Sequence, residues 1–516
     1  MATKKLSKIF LEEEYNYYKK KAFYFFIKNQ FEECLLCIKF CGRIAWGYPI
    51  LFNFCDNELE ELLCKVKDEL NLSHEYNQKQ KQKKVIFYNS QIIDSGALTE
   101  QYLHYFIENN YQVLVIVPDK KNTEKGQNIL HTIRNHENIE LFIPDVSKDI
   151  NKIEVIDSVV RQYGATNSFL HFVPNDVVGF TVFSDLTFLK KYYIVHNDHT
   201  FWFGKSCSDF FLEFRNFGCR LAVQRRLIDY KKIYSLPYYP IIQKTEFQGF
   251  PFDPRQKIIG FSGANLYKYY LDPELKFFFA IKELLLRNND FVFCLAGFGD
   301  STIVEKFIKD NELQDRFFYL GQRNDFYSLV GHIDILFESY PFKGGLTVLY
   351  AVENQKAITG IANNKTASGS IEDFFGLIDY EQAQNFSDFI NEADLLIKDK
   401  EFRSENARMF AISKYKKSLF DNSLSAILSG EFESIECPQS NLLLDDNHYL
   451  NEYISLPNSY YLFYCLKLAY LKTCLPFFEK VTIIIRLVLI KPSGIINRLV
   501  KYIGIISSVI KIKTIQ

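Results

Sequence analysis

An α/β protein of two parallel-sheet domains facing a cleft is the fold class this sequence predicts, on three observations. Strand-like and helix-like runs alternate from Lys84 to about residue 245; a stretch rich in proline and aromatic residues interrupts them; and a second alternation starts at Lys257. Strands separated by helices line up parallel, because each crossover carries a helix over one face of the sheet. The expected organisation is a helical domain (1–80), a first α/β domain (84–245), a second (255–430) and a helical tail (431–516).

Composition narrows the function. The 516 residues are 47% hydrophobic, enough for several cores. Lys and Arg number 61 against 62 Asp and Glu, a net charge of −1, so no global field favours nucleic acid and any hold on an anion must be local. The 11 cysteines include no repeated CxxC pair, and MATKKLSKIFLEEEYNYYKK lacks the apolar core of a secretion signal, which fits a reducing cytoplasm. Cys34, Cys37 and Cys41 fall on one face of a helix, and core packing is the expectation because no further zinc ligand follows at the usual spacing.

Each element follows in order. AFYFFIKNQFEECLLCIKF has helical spacing, and NQKQKQKK (Asn77 to Lys84) reads as a solvated linker. KVIFYN, ALTEQYLHYFIENN and YQVLVIVPD form a strand–helix–strand unit, and IELFIPD, SFLHFVP and KYYIVHND are further strands. INKIEVIDSVVRQYG is a helix between them, and GCRLAVQRRLI is expected as the last strand of this half. LPYYPIIQKTEFQGFPFDPRQ connects the halves. Then come KIIGFSG, the helix DPELKFFFAIKELLLRNN, FVFCLAGFG, the helix STIVEKFIKDN, RFFYLG, DFYSLVGHI and DILFESYP. In open parallel sheets ligands bind beyond the carboxyl ends of the strands, so the chemistry is sought in those loops.

The run YPFKGG (Tyr340 to Gly345) leads from a strand into the helical LTVLYAVENQK. Gly344 and Gly345 permit close backbone approach and leave the first helix amides open to an anion. A helix terminus supplies only ~0.3–1 kcal/mol, up to ~2 when partly buried, so a cation must assist a diphosphate. An ordinary tight turn explains Gly-Gly equally well; its neighbours favour the ligand. Ser262, Gly263 and Asn265 end one strand with Lys268 behind them, Gly297 and Gly299 end the next, and Gly321, Gln322 and Arg323 a third. Lys343, Gly344, Gly345 and Thr347 complete the candidate cradle.

The order of these elements resembles the carboxyl-terminal half of GT-B glycosyltransferases, which are built of two Rossmann-like domains. Asn265 to Pro273 is similar to a stretch of the protein O-GlcNAc transferase family. The resemblance spans roughly residues 255–430 and implies a nucleotide-sugar donor, UDP-sugar foremost, with Lys268 on its diphosphate. It gives Gly344, Gly345 and Thr347 the phosphate-binding turn, and Gly321 and Gln322 the base. Two departures stand out. Tyr350 occupies the place of the acidic residue that holds the ribose in many such enzymes, with Glu353 almost a turn later. The family's histidine in the first loop of the amino-terminal catalytic half has no counterpart in NSQIIDSGALT, where Asp94 and Ser95 are the nearest polar residues.

In the first half, His196, Asn197, Asp198 and His199 end a strand before Phe201, Trp202 and Phe203. A base that takes a hydroxyl proton needs reach and a pKa near working pH, so His199 and Asp198 are the candidates, with Lys268 assisting departure of the leaving group. The alternative is that these side chains only satisfy loop backbone. No metal is expected. Arg225 and Arg226 either face the phosphate or are solvated, and His171 is expected to be a core residue.

After residue 430 the alternation stops, and from Tyr461 nine basic residues stand against one acid, Glu479. No run is long and apolar enough to span a bilayer. Two readings of this tail stay open: peripheral binding to an anionic membrane surface, and packing on protein. The functional expectation is a cytoplasmic glycosyltransferase, either peripheral on the membrane or free of it, acting on a glycan, lipid-linked or protein acceptor. A catalytically silent binding or chaperone subunit of the same fold is the alternative.

Overall fold

The computed structural model describes residues 8–431, apart from 49–50, 52–53, 73–74, 77–82, 95–97, 243–244, 363–381 and 412–415. The tail from 432 onward, Ser95 and most of the basic linker lie outside the described residues.

Two parallel sheets form the body. In the first, β1 (Lys84–Asn89), β2 (Gln112–Ile116), β3 (Ile139–Phe142), β4 (Asn167–His171), β5 (Lys190–Ile194), β6 (Phe210–Glu213) and β7 (Ile233–Ser235) are ordered β3-β2-β1-β4-β5-β6-β7. In the second, β8 (Ile258–Gly263), β9 (Phe291–Ala296), β10 (Phe317–Tyr319), β11 (Ile335–Phe337) and β12 (Ala357–Thr359) are ordered β10-β9-β8-β11-β12. Val85 of β1 pairs in register with Val113 on one side and Asn167 on the other, and β8 sets Gly260 opposite Phe293 and Ile335. Strands covered on both faces must be apolar throughout, which is why VIFY and FVFCLA are fully buried. Strand order reverses between β1 and β4 and between β8 and β11, and each reversal opens a crevice at the strands' carboxyl ends.

One expected element is wrong. GCRLAVQRRLI is not a strand: Asn216–Gln224 is a helix that buries Phe217, Gly218, Cys219, Leu221 and Ala222. Residues 217/221 and 218/222 are four apart, a helical repeat that the apolar character of the run masked. The strands on either side, β6 and β7, are only four and three residues long, too short to show a period. DFYSLVGHI contains the short helix Phe326–Gly331.

The amino-terminal helices share a core with the first sheet. Helix Phe31–Gly47 buries Cys34, Cys37 and Cys41 on its expected face, and their cluster continues into Ile86, Tyr88, Phe180 and Phe203. Gly42 makes the contact possible, because a Cβ there would lie 2.6 Å from the Phe203 ring. Glu60, fully buried on helix Asn57–Glu69, accepts from the amides of Gly204 (2.8 Å), Lys205 (3.1 Å) and Ser206 (2.8 Å). At the other end, helix Lys417–Ser429 returns to the first sheet, with Phe420 against Tyr102 and Tyr239.

Candidate active site at the cleft

The second reversal point gathers the predicted cradle. Helix Gly345–Glu353 begins with Gly344 as its N-cap, in extended conformation, and no side chain caps it. Its first amides are therefore left to a ligand or to water. Lys268, from the short helix Tyr267–Tyr270 after β8, reaches this terminus: its Nζ donates to the Lys343 carbonyl at 2.9 Å. A Cβ built on Gly344 would sit 3.7 Å from both Lys268 Nζ and Thr347 Oγ1. Thr347 Oγ1 donates to the Gly263 carbonyl at 3.0 Å, tying the helix to the end of β8. Gly263 must be glycine because a Cβ would fall 2.5 Å from the Phe326 ring. Burial lowers Lys268 to about 8, against the pull of Glu338. An incoming diphosphate would oppose that shift.

Beside the cradle a cavity of about 570 Å3 is lined by Gln322, Arg323, Thr347 and Tyr350, with Asp94 and Glu100 from the first lobe. Gly321, at φ 68°, turns the chain into this wall, and its carbonyl accepts from Gly297 N at 2.9 Å. Arg323 is held by Asp325 at 2.6 Å and by the Gly249 carbonyl at 3.1 Å. Tyr350, in the place expected for a ribose-binding acid, lines the cavity with its hydroxyl 3.4 Å from the Ile241 carbonyl.

Phe342 joins the lobes. Lys268 Nζ lies 5.0 Å from its ring centroid, and the His199 ring of the first lobe meets it edge-on at 6.0 Å. His199 Nδ1 is 3.0 Å from Asp198 Oδ1. Asp198 is fully buried and also accepts both ends of the Arg215 fork, one at 2.9 Å. Burial alone would raise its carboxyl, but Arg215 and His199 outweigh that and hold it well below the usual carboxylate range. Arg226 adds a layer underneath, donating to the Asp198 carbonyl at 2.8 Å and to the Thr200 carbonyl.

Several candidates take other places than expected. Asp198 is too acidic and too enclosed to collect a proton, so of the pair His199 is the base candidate and Asp198 positions it. The Lys343 ammonium turns inward to Glu338 at 3.0 Å and Gln382 at 2.8 Å, so only its carbonyl belongs to the cradle. Ser262 is buried within β8 with its hydroxyl 2.7 Å from that of Tyr269; strand alternation aims it into the core. Arg226 is neither solvated nor near the phosphate side: it is buried under the histidine loop. Asp94 accepts from the Asn128 and Ile129 amides at 3.0 and 3.1 Å, at the start of helix Gln127–Asn135.

Sequence reasoning missed Arg215 and Glu213. Both lie at the end of an unrecognised strand, β6. Glu213 is fully buried against Gly218, and burial, reinforced by Asp198, pushes it up to about 8.

No protein-family model matches this chain, and no curated protein matches it. Solved structures do. A glycosyltransferase from Rickettsia africae ESF-5 superimposes with TM-score 0.52 at 14% identity, over 70% of this chain and 99% of its own. Anabaena Alr3699/HepE in complex with UDP gives 0.50 at 15% identity, over 67% and 100%. A Listeria monocytogenes protein described as a UDP-N-acetylglucosamine 2-epimerase gives 0.50 at 13%, over 70% and 99%. The O-GlcNAc transferase of Thermobaculum terrenum matches at 0.48 and 13%, over 82% and 84%. The first three likenesses, at these identities, establish architecture: the chain has the GT-B fold, two Rossmann-like domains facing a cleft.

Proposed function

We propose that this protein is a glycosyltransferase that moves a sugar from a UDP-sugar to an acceptor hydroxyl in the cleft. The observation that carries the reading is the Lys268 ammonium beside the uncapped start of helix Gly345–Glu353, with the Asp198–His199 pair across Phe342. The diphosphate sits between Lys268 and the first amides of that helix, and the nucleoside lies toward Gln322, Thr347 and Tyr350. UDP is favoured because solved structures of this fold include one holding it.

In the reaction, the acceptor oxygen forms a bond to the anomeric carbon as the bond from that carbon to the β-phosphate oxygen breaks. His199 takes the hydroxyl proton, and Asp198, kept ionised by Arg215, holds the imidazole and steadies the cation that forms. UDP leaves with its new charge on Lys268 and the helix amides, each charge-assisted hydrogen bond contributing ~1.5–3 kcal/mol. No metal ion enters this scheme. Whether the sugar is a hexose or an N-acetylhexosamine is read from the donor that works.

An epimerase of the same fold has specific support in the Listeria likeness. One experiment separates the readings. Purified protein is given UDP-sugars with and without an acceptor extract, and released UDP and new sugars are measured. A transferase releases UDP, and Lys268→Met abolishes it; an epimerase converts the donor sugar without an acceptor. A silent binding subunit holds UDP and turns over nothing. UDP release that survives Lys268→Met overturns the proposed site.

A further inference from the structure

The first sheet has its own reversal point, between β1 and β4, and a cavity of about 310 Å3 opens there. Asn89 ends β1, His171 ends β4, and Thr99, His196 and Asn197 complete the polar wall. Trp46 comes from outside the α/β domain, at the end of helix Phe31–Gly47. It arrives because Gly42, one turn earlier, lets that helix close onto Phe203 and Asn175. The Arg43 guanidinium stacks 4.0 Å from the Trp46 ring centroid and holds it in place.

The chemistry of this cavity is selective. Asn89 Nδ2 donates to Thr99 Oγ1 at 2.8 Å, and Thr99 Oγ1 lies 3.3 Å from His171 Nδ1, so amide, hydroxyl and imidazole stand ready-made along one side. No lining side chain carries a fixed charge. Desolvation lowers His171, half-buried at the end of β4, to about 3, with His196 adding to the effect; His196, 5.4 Å away and exposed at the rim, is shifted in the same direction. An ionic group therefore finds no charged partner in the lining, the Arg43 guanidinium being stacked on Trp46, and the wall is mixed, with Ile93, Phe172, Val173 and Pro174 beside the polar groups. A pyranose suits both surfaces: its hydroxyls meet the neutral donors and acceptors in plane, and its C–H face lies on the indole. The volume holds roughly ten water molecules at ~30 Å3 each, room for one sugar ring and a few waters.

We propose that this cavity takes an uncharged pyranose ring of the acceptor, with Trp46 of the helical region as the residue that selects it. The acceptor is then a glycan. The proposal rests on the transferase reading, and His196 and Asn197 link the two, since they run directly into Asp198 and His199.

The test uses the full chain and two independent ligands. Neutral methyl glycosides of glucose, galactose and N-acetylglucosamine, with their disaccharides, are titrated by ligand-observed NMR; UDP is titrated separately by calorimetry. At least one glycoside should bind at millimolar concentration. Trp46→Ala should weaken it about tenfold or more, Trp46→Phe should retain most of it, and both should keep wild-type UDP affinity. Gln91→Ala, on the same cavity's rim, serves as a second variant if Trp46→Ala does not fold. Lys268→Met should lose UDP and keep the glycoside. Failure of every neutral glycoside to bind, or binding indifferent to both Trp46→Ala and Gln91→Ala, overturns the proposal. UDP binding without glycoside binding sinks this inference alone; glycoside binding without UDP binding sinks the donor reading alone.

Discussion

Lys268 shows how one side chain carries both a proposed function and a penalty. Burial lowers it to about 8 from its ordinary 10.5. Between those values the unfolded chain binds the extra proton, so this residue makes stability rise with pH there, and its full penalty is present below about 8. Lys268→Met should therefore melt no lower than wild type at pH 7 in differential scanning fluorimetry. The same variant should lose the shift that UDP produces, a roughly 10- to 100-fold drop in affinity for ~1.5–3 kcal/mol of lost charge-assisted bonding. In the wild type, UDP affinity measured by calorimetry should fall as pH rises through about 8, as the ammonium is lost. Asp198 has the opposite sign. Its depressed carboxyl contributes stability that is fully present above the ordinary carboxylate value and disappears only as pH falls well below it. Asp198→Asn removes the carboxylate that accepts the Arg215 fork in a buried ion pair and should cost about 3–5 kcal/mol in denaturant unfolding. Lys268 was legible at this scale because it follows a glycine-bearing strand end. Lys343 was not, since sequence gives no sign of whether a buried lysine turns toward a ligand or toward Glu338.

Among elements, helix Gly345–Glu353 is the one whose local sequence and proposed function coincide. Gly344 provides no cap, which leaves the helix start weaker and the cleft open. Gly344→Asp should invert that balance: the carboxylate caps the helix, adding only a few tenths of a kcal/mol over glycine and about 0.3–1 kcal/mol from its charge at the helix start, and occupies the anion position beside Lys268. The expected result is a higher melting temperature with no further shift on adding UDP; retained UDP binding would place the diphosphate elsewhere. Helix Asn216–Gln224 shows the limit of periodicity. Its nine residues carry one cation, Arg220, in a mostly apolar run that strand and helix patterns both fit, and only packing against β6 and β7 decides. Its Gly218 lies so near Glu213 and Asp198 that a Cβ would meet the Glu213 carboxyl at 2.2 Å, so a methyl there must displace the buried carboxyl groups under His199.

At the scale of the whole molecule, the helical region and the first α/β domain share one hydrophobic core. Leu35, Ile38 and Leu63 share a core with Tyr88, Val182 and Trp202, and Glu60 ties down the loop that follows His199. Deleting residues 1–80 should therefore remove cooperative unfolding, followed by circular dichroism, instead of yielding a smaller stable enzyme. The cleft depends on the same long-range order: Phe342 reaches from one lobe to the His199 of the other, while helix Lys417–Ser429 fastens the end of the second lobe to the first.

By itself the sequence determined the two alternating halves, the parallel sheets and the glycine-bearing strand ends with Lys268 among them. Those features are local, set by side-chain period and by which residues a turn tolerates. Tertiary structure alone decided that Asp198 is buried between Arg215 and His199, that Lys343 faces inward, and that Trp46 walls a cavity of a domain far along the chain. Burial and charge pairing are properties of neighbours in space, and a carboxylate or an ammonium takes its role from them.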